Sequence, residues 1–174
     1  GAALFVHNSV LGKPRNPRMD HAYWGPSYTD EAICQYLDSR GAVYRTVPRA
    51  EMIAETAHHL DEKQAVVGWF QGRLEWGPRS LGARSILADA RNEENWKRVN
   101  LKIKYRESFR PFAPACLAED VSKYFELDQP SPYMLLVSNL REELLVERSG
   151  DERTLDLTEW VNRVRSEFPA ITHV

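Results

Sequence analysis

The spacing of apolar residues changes several times along this chain, and each change marks an element. Residues 1 to 6 (GAALFV) form a short apolar run, readable as a strand or as the tail of a helix. From Lys13 to Tyr28 the stretch PRNPRMDHAYWGPSY follows no period, which predicts an irregular arm across the surface. Ser27 or Thr29 then caps a helix reaching about Arg40. Asp30 and Glu31 suit its first turn, Gly41 ends it, and Ile33, Tyr36 and Leu37 make its buried face. Ala42 to Val47 alternates as a strand does until Pro48 breaks it, and Glu51 to Leu60 predicts a second helix.

Gln64 to Phe70 (QAVVGWF) is apolar on both faces and predicts a central strand that runs directly into a glycine- and arginine-rich loop. Asn92 caps the next helix, with Glu93 and Glu94 at its positive end and Trp96, Val99 and Ile103 on its core face. Asn100 and Lys104, four apart, point together off a neighbouring face. Ala113 to Leu117 and Tyr133 to Ser138 predict two more strands, Leu140 to Thr154 a charged loop, and Leu157 to Phe168 a helix. After Pro169 the final ITHV predicts a strand cut short. Alternating helices and strands predict an α/β (α+β) domain built on a mixed sheet.

Composition narrows the class. The 174 residues suit one domain, and 43% hydrophobic with 28% charged residues is ordinary for a globular protein. There is no apolar run long enough to span a bilayer and no basic-then-apolar leader, so the expected compartment is the cytoplasm. Cys34 and Cys116 lack a CxxC-type partner, which predicts two free, buried thiols in a reducing compartment rather than a zinc site. A net charge of −2 argues against a uniformly basic nucleic-acid surface. Yet Arg73 to Arg110 holds seven arginines and three lysines against five acids, whereas Glu142 to Glu167 is acid-rich. A basic pocket on a mildly acidic protein suits a small anionic substrate.

That pocket is where chemistry concentrates. In GWFQGRLEWGPRSLGARSI, Arg73, Arg79 and Arg84 stand among glycines such as Gly77, which let backbone amides approach an anion. Arginine grips phosphate oxygens in bidentate fashion and stays charged at any working pH. The loop is neither GxxxxGK[ST] nor GxGxxG, and its arginines could equally make ion pairs that shape a turn. Lys104, Arg106 and Arg110 (K-x-R-x-x-x-R) follow a helix and precede Pro111 and Pro114. They read as a solvated basic helix end or, beside the first loop, as cations converging on an anion. Glu75 is placed to orient an arginine or to meet a nucleotide-bound Mg²⁺. Ser80 and Ser85 lack any Ser/His/Asp context and are hydrogen-bond donors at most. The five histidines show no metal-ligand spacing.

The string GWFQGRLEWGPRSLGARSILADAR, followed by N-x-x-x-K-x-R-E-x-F-R-P-F-A-P, resembles the C-terminal domain of the O-carbamoyltransferase family, whose members modify nodulation factors and antibiotics. The likeness extends to GPSYTDEAI near residue 25 and to the closing PAITHV. Ser80 stands where alanine is usual, Ala83 where asparagine is, and Ala90 where proline is; none of these removes a charge. The resemblance implies a YrdC-like domain, a twisted mixed sheet flanked by helices, over residues 25–174 and truncated at its C-terminus. Residues 1–24 would be the arm from a larger N-terminal actin-like ATPase-class domain, the expected partner that carries the final transfer site.

It also implies a role for the basic pocket. Carbamoyl phosphate and ATP with Mg²⁺ would yield a carbamoyl-adenylate, with no metal held by the domain itself. Lys104, Arg106 and Arg79 would be catalytic. Arg73, Glu75, Gly77, Ser80, Arg84, Ser85, Asn100, Arg110 and His173 would bind the substrates, and Trp69, Phe70, Trp76, Phe109 and Phe112 would wall the pocket. A non-catalytic module that binds a nucleotide or RNA in the same basic cleft is the alternative. The near-neutral overall charge favours the enzyme and makes nucleic acid an unexpected partner.

Overall fold

The computed structural model describes residues 1–16, 19–146 and 156–172. Helix α1 (Ala2–Phe5) continues as a wider turn through Val6–Val10. Helix α2 (Asp30–Ser39) begins where Thr29 Oγ1 accepts the Ala32 amide at 3.2 Å. It ends in a full Schellman cap: Gly41 at φ +61° donates to Asp38 O and Ala42 N donates to Leu37 O, both at 3.0 Å. That left-handed position is why glycine stands there. Helix α3 (Arg49–Asp61) follows Pro48 and lies against β1 (Val67–Phe70).

Strand β1 pairs antiparallel with β2 (Arg84–Leu87), in the register Val67↔Leu87, Gly68↔Ile86, Trp69↔Ser85 and Phe70↔Arg84. Residues 71–83 therefore form the tip of a hairpin. At its base, Gln64 donates to the Asp89 carboxylate at 3.2 Å and accepts from Asn92 at 2.8 Å, tying β1's entrance to the start of α4 (Glu93–Arg98). Asn92 caps α4 through the Glu94 amide at 2.8 Å. Trp96 and Val99 are buried beneath it.

The second half is looser. A short 3₁₀ turn and α5 (Val121–Tyr124) lead to an antiparallel bridge between Phe125 and Leu140, and a second bridge joins Leu145 to Ser166. Helix α6 (Leu157–Asn162) starts in a capping box between Asp156 and Glu159. The chain then turns back so that Ala170 accepts from Phe112 N at 2.8 Å and donates to Ala90 O at 3.3 Å.

Helices and strands do coexist, but the expected mixed sheet does not form among the described residues: the sheet is one antiparallel pair. Ala42–Val47, Ala113–Leu117 and Tyr133–Ser138 form no strand. Alternation specifies which face a strand would bury, not what it pairs with, and Val43 and Val137 face solvent instead. Gln64–Phe70 is shorter than expected and half-exposed on alternate residues, because only one strand flanks it. Tyr36 and Ile103 are exposed where a core face was expected. The last helix stops at Asn162 as Arg163 turns extended, and Ile171 and Thr172 lie in a turn and irregular chain rather than a strand. No helix of the described residues is long and apolar enough to cross a membrane. Cys34 and Cys116 are both free, but neither is buried as expected: Cys34 is half-buried and Cys116 exposed.

The accessible surface is 13388 Å², against roughly 8,700 Å² for a compact protein of this length. Much apolar surface is thus uncovered, including Leu117, Leu135, Val137 and Leu157.

Candidate functional site

The hairpin tip is held from outside by the arm. Residues 22–26 run antiparallel to 74–76: Gly25 N donates to Leu74 O at 2.9 Å, Leu74 N to Pro26 O at 3.0 Å, and Trp76 N to Ala22 O at 2.7 Å. A Cβ on Gly25 would stand 2.9 Å from Leu74 O, so only glycine permits this approach. Tyr23 adds an O–H bond to Leu81 O at 2.7 Å. Arg73 donates to Gly25 O at 3.0 Å and to Trp24 O at 3.4 Å, closing the arm over the loop.

Inside the tip, Glu75 organises the turn. Its Oε1 accepts the amides of Leu81 (2.7 Å), Ala83 (2.8 Å) and Arg84 (3.3 Å). The side chain is fully buried. Burial pushes its carboxyl up, but the backbone donors together outweigh that and hold it below the usual carboxylate range. Arg84 Nε lies 3.3 Å from Glu75 Oε2, near enough for an ion pair, yet Oε2 receives no hydrogen bond. The Arg84 guanidinium instead donates to Glu75 O and Gly77 O, each at 3.2 Å. Ser85 Oγ accepts the Gly82 amide at 3.1 Å. Arg79 and Ser80, at the outer edge, are exposed, and their side chains bond to nothing among the described residues.

A second group forms where α4 ends. The helix widens into a π turn over Val99–Ile103, then Tyr105 takes φ +49°. That conformation is uncommon outside glycine, and local strain of this kind gathers at working sites. It separates Lys104 from Arg106 while Arg106 N still reaches Asn100 O at 3.0 Å. Asn100 is fully buried and holds the returning chain: its Nδ2 donates to Ser108 O (3.0 Å) and Arg110 O (2.8 Å), and its Oδ1 accepts Arg106 Nε at 2.5 Å. Trp96 Nε1 donates to the same Arg110 carbonyl at 3.0 Å.

The Arg106 guanidinium sits 4.7 Å from the centre of the Phe112 ring. Burial, and secondarily the charge of nearby Arg110, hold Arg106 below the ordinary guanidinium value, with Glu107 opposing. Arg110 pairs with Glu107 at 2.8 Å. Lys104 is exposed and bonded to nothing among the described residues.

The expected site residues thus fall into two groups, joined by no hydrogen bond or ion pair among the described residues. Glu75, Gly77, Arg84 and Ser85 bind one another at the tip, and Arg73 binds the arm. Asn100, Arg106 and Arg110 gather at the exit of α4. His173 lies outside the described residues. Of the expected wall, Phe70, Trp76 and Phe109 are exposed, and Phe112 lies under Arg106. Sequence reasoning missed Trp24, which lines a cleft of about 480 Å³ together with Pro26, Arg73, Glu75, Trp76 and Arg84. The available signal was the invasive aromatic pair Tyr23–Trp24 just before Gly25, in a stretch read as an irregular arm. No cluster of His, Cys, Asp or Glu suited to a metal occurs among the described residues.

Comparison with known proteins gives the site its family. Residues 57–174 match the model described as "Carbamoyltransferase C-terminus", a span that contains the whole hairpin and both basic groups. The chain is 50% identical over 180 residues to "Uncharacterized protein sll1178" of Synechocystis sp., covering 100% of this chain and 29% of that protein. It is 44% identical over 146 residues to "Nodulation protein NolO" of Bradyrhizobium diazoefficiens, covering 82% of this chain and 26% of the relative. A 78-residue stretch, 45% of this chain, is 49% identical to 15% of the "3'-hydroxymethylcephem-O-carbamoyltransferase" of Streptomyces clavuligerus. The chain spans less than a third of the length of each of these relatives. With the matched model covering most of its residues, this chain belongs to the carbamoyltransferase C-terminal family.

Proposed function

We propose that the chain is the carbamoyl-adenylate-forming part of an O-carbamoyltransferase, a YrdC-like domain that uses carbamoyl phosphate and ATP with Mg²⁺. The observation that carries this reading is the group at the exit of α4. Arg106 is half-buried, is bonded only to neutral Asn100 and lies near Arg110, which pairs with Glu107, while Lys104, two residues earlier in the chain, is unpaired. Like charges gathered in this way are stabilised when an anion joins them. Phosphate oxygens carry the charge that develops in both steps of the proposed reaction. In the first, carbamoyl phosphate is hydrolysed to carbamate and phosphate. In the second, a carbamate oxygen attacks the α-phosphorus of ATP, and pyrophosphate leaves with the electron pair of the broken P–O bond.

Preorganised cations are the main tool for such chemistry. Lys104 and Arg106 take that role at the exit of α4, Arg79 takes it from the exposed hairpin tip, and Arg110 helps to position the exit cations. Carbamate decomposes in water, so the pocket needs cover and a short path onward. The uncovered apolar surface and the much greater length of the relatives support a larger N-terminal partner, which we take to be an actin-like ATPase-class transfer domain in the same cytoplasmic protein. The test is calorimetric titration of the chain with a non-hydrolysable ATP analogue and Mg²⁺, with and without carbamoyl phosphate. Saturable binding at one site, lost in Arg106→Ala, is the expected result; binding that survives this change rules the assignment out. A steep salt dependence with RNA in place of ATP would favour a polyanion-binding module instead.

A further inference from the structure

Several arginines spend their terminal nitrogens inside the fold. An Nη atom donates to a carbonyl or carboxylate oxygen in Arg73, Arg84, Arg91 and Arg98. Arg106 is engaged differently. Its Nε donates to Asn100 Oδ1 at 2.5 Å, and its Cζ lies 4.7 Å from the centre of the Phe112 ring. Neither of its Nη atoms has a partner among the described residues. The Nε side and one face of the guanidinium are therefore held. The Nη1–Nη2 edge stays open, and that edge can meet two oxygens of one oxyanion at once.

Asn100 makes this hold without cancelling the charge. Its side chain is fully buried, and its Nδ2 donates to Ser108 O at 3.0 Å and to Arg110 O at 2.8 Å. Those two carbonyls need donors, which a carboxylate lacks, so they call for an amide and turn its oxygen toward Arg106. An aspartate would instead be a charged partner and would neutralise the arginine. The backbone repeats the contact: Arg106 N donates to Asn100 O at 3.0 Å, across the positive φ of Tyr105. Phe112 is anchored from the other end of the chain. Its amide donates to Ala170 O at 2.8 Å, and Ala170 N donates in turn to Ala90 O at 3.3 Å. The widened turn after α4 thus fixes one side of the guanidinium, and the C-terminal segment fixes the ring at its face.

We infer that Asn100 and Phe112 are positioning residues that hold the Arg106 guanidinium by its Nε side and one face, so that its Nη1–Nη2 edge is presented end-on to an oxyanion. The inference rests on the reading of the α4 exit as an anion site. It moves Asn100 from touching substrate to acting through Arg106, and Phe112 from walling a pocket to fixing a cation.

The experiment uses the 174-residue chain with pyrophosphate as the probe, followed by calorimetry and by NMR of the arginine side chains. In the unliganded chain the Arg106 Nε–H, assigned by its loss in Arg106→Lys, is expected to exchange with water more slowly than that of exposed Arg79. Phe112→Leu should weaken pyrophosphate about fivefold, the scale of a lost cation–ring contact, and Phe112→Tyr should restore it. Asn100→Asp keeps an acceptor for Nε, so the slow Nε–H should remain while pyrophosphate weakens about tenfold. A purely structural role for Asn100 would lose the two together. Urea midpoints identify a misfolded Asn100→Asp, and the two Phe112 variants then decide. An Arg106 Nε–H that exchanges as fast as that of Arg79, or unchanged affinity in Phe112→Leu, overturns the inference. If binding still depends on Arg106 in that case, the anion site survives without its clamp; if the unaltered chain does not bind pyrophosphate, both fall.

Discussion

The hairpin tip and the exit of α4 are both rich in arginine, and they use it in opposite ways. At the tip the charges are turned inward: Glu75 Oε1 takes three amides, Oε2 lies 3.3 Å from Arg84 Nε without a hydrogen bond, and Arg84 and Arg73 donate to carbonyls. At the exit, Arg106 is answered by a neutral amide and a ring, and its charged neighbour Arg110 is itself paired with Glu107. The difference teaches that arginine content marks a region of strong hydrogen bonding but not its purpose. An arginine whose donors end on carbonyls builds structure; one held by a neutral amide is available to a ligand.

This contrast can be broken most directly at Glu75. Glu75→Ala leaves three buried or part-buried amides without their acceptor and Arg84 without its ion-pair partner, and is expected to destabilise the chain by about 3 kcal/mol in urea unfolding. A loss under about 1 kcal/mol would mean that the tip is not organised from Glu75 at all. At the exit, Arg106→Ala should cost about 2 kcal/mol in ATP binding, by the usual size of a charged hydrogen bond, and about 1 kcal/mol of stability in urea, because the buried Asn100 Oδ1 loses its donor. A result in the other order, stability lost and binding kept, would turn the exit into a second scaffold.

Gly25→Ala sharpens the role of the arm. The new methyl meets the Leu74 carbonyl, so the arm must shift at a cost of about 1–3 kcal/mol, visible as faster exchange of the Trp76 amide. A pH titration of stability adds a subtler measure. Glu75 is held below its unfolded pKa, so its contribution is complete above about pH 4.3 and is lost as pH falls through the lower folded value. Glu75→Gln should flatten that part of the acid limb and leave the neutral and alkaline range unchanged in slope. Smallest of all, Arg79→Ala and Lys104→Ala should alter stability by less than about 0.5 kcal/mol, since neither side chain has a partner to lose. Both should still weaken ATP binding.

Legibility in the sequence followed the range of the interaction. Gly41 and Asn92 were readable as helix boundaries because a cap bonds to groups two or three residues away, and of the two candidates Ser27 and Thr29 the structure selects Thr29. The capping box of Asp156 and Glu159 carried the same kind of signal in the spacing D-x-x-E and went unread. The strands at 42–47, 113–117 and 133–138 went wrong because a strand needs a partner from elsewhere, and alternation names none. The basic segment was legible as a concentration of charge and glycine, while the choice between ion pairs that shape a turn and a ligand site was not.

What the amino-acid sequence determined by itself, then, was local and chemical: the helix ends, the β1 strand entering a turn, the family signature, and a basic, glycine-bearing segment from Arg73 to Arg110. Only the tertiary structure decided which cation serves which purpose. Arg73 acquires its partners from an arm some fifty positions away in the chain, with bonds to Gly25 and Trp24, and Arg106 acquires its neutral partner from a buried Asn100 on a widened helical turn. A guanidinium carries the same charge and the same donors wherever it stands. Its acceptor is chosen by the chain that folds against it, and that choice separates a scaffold from a site.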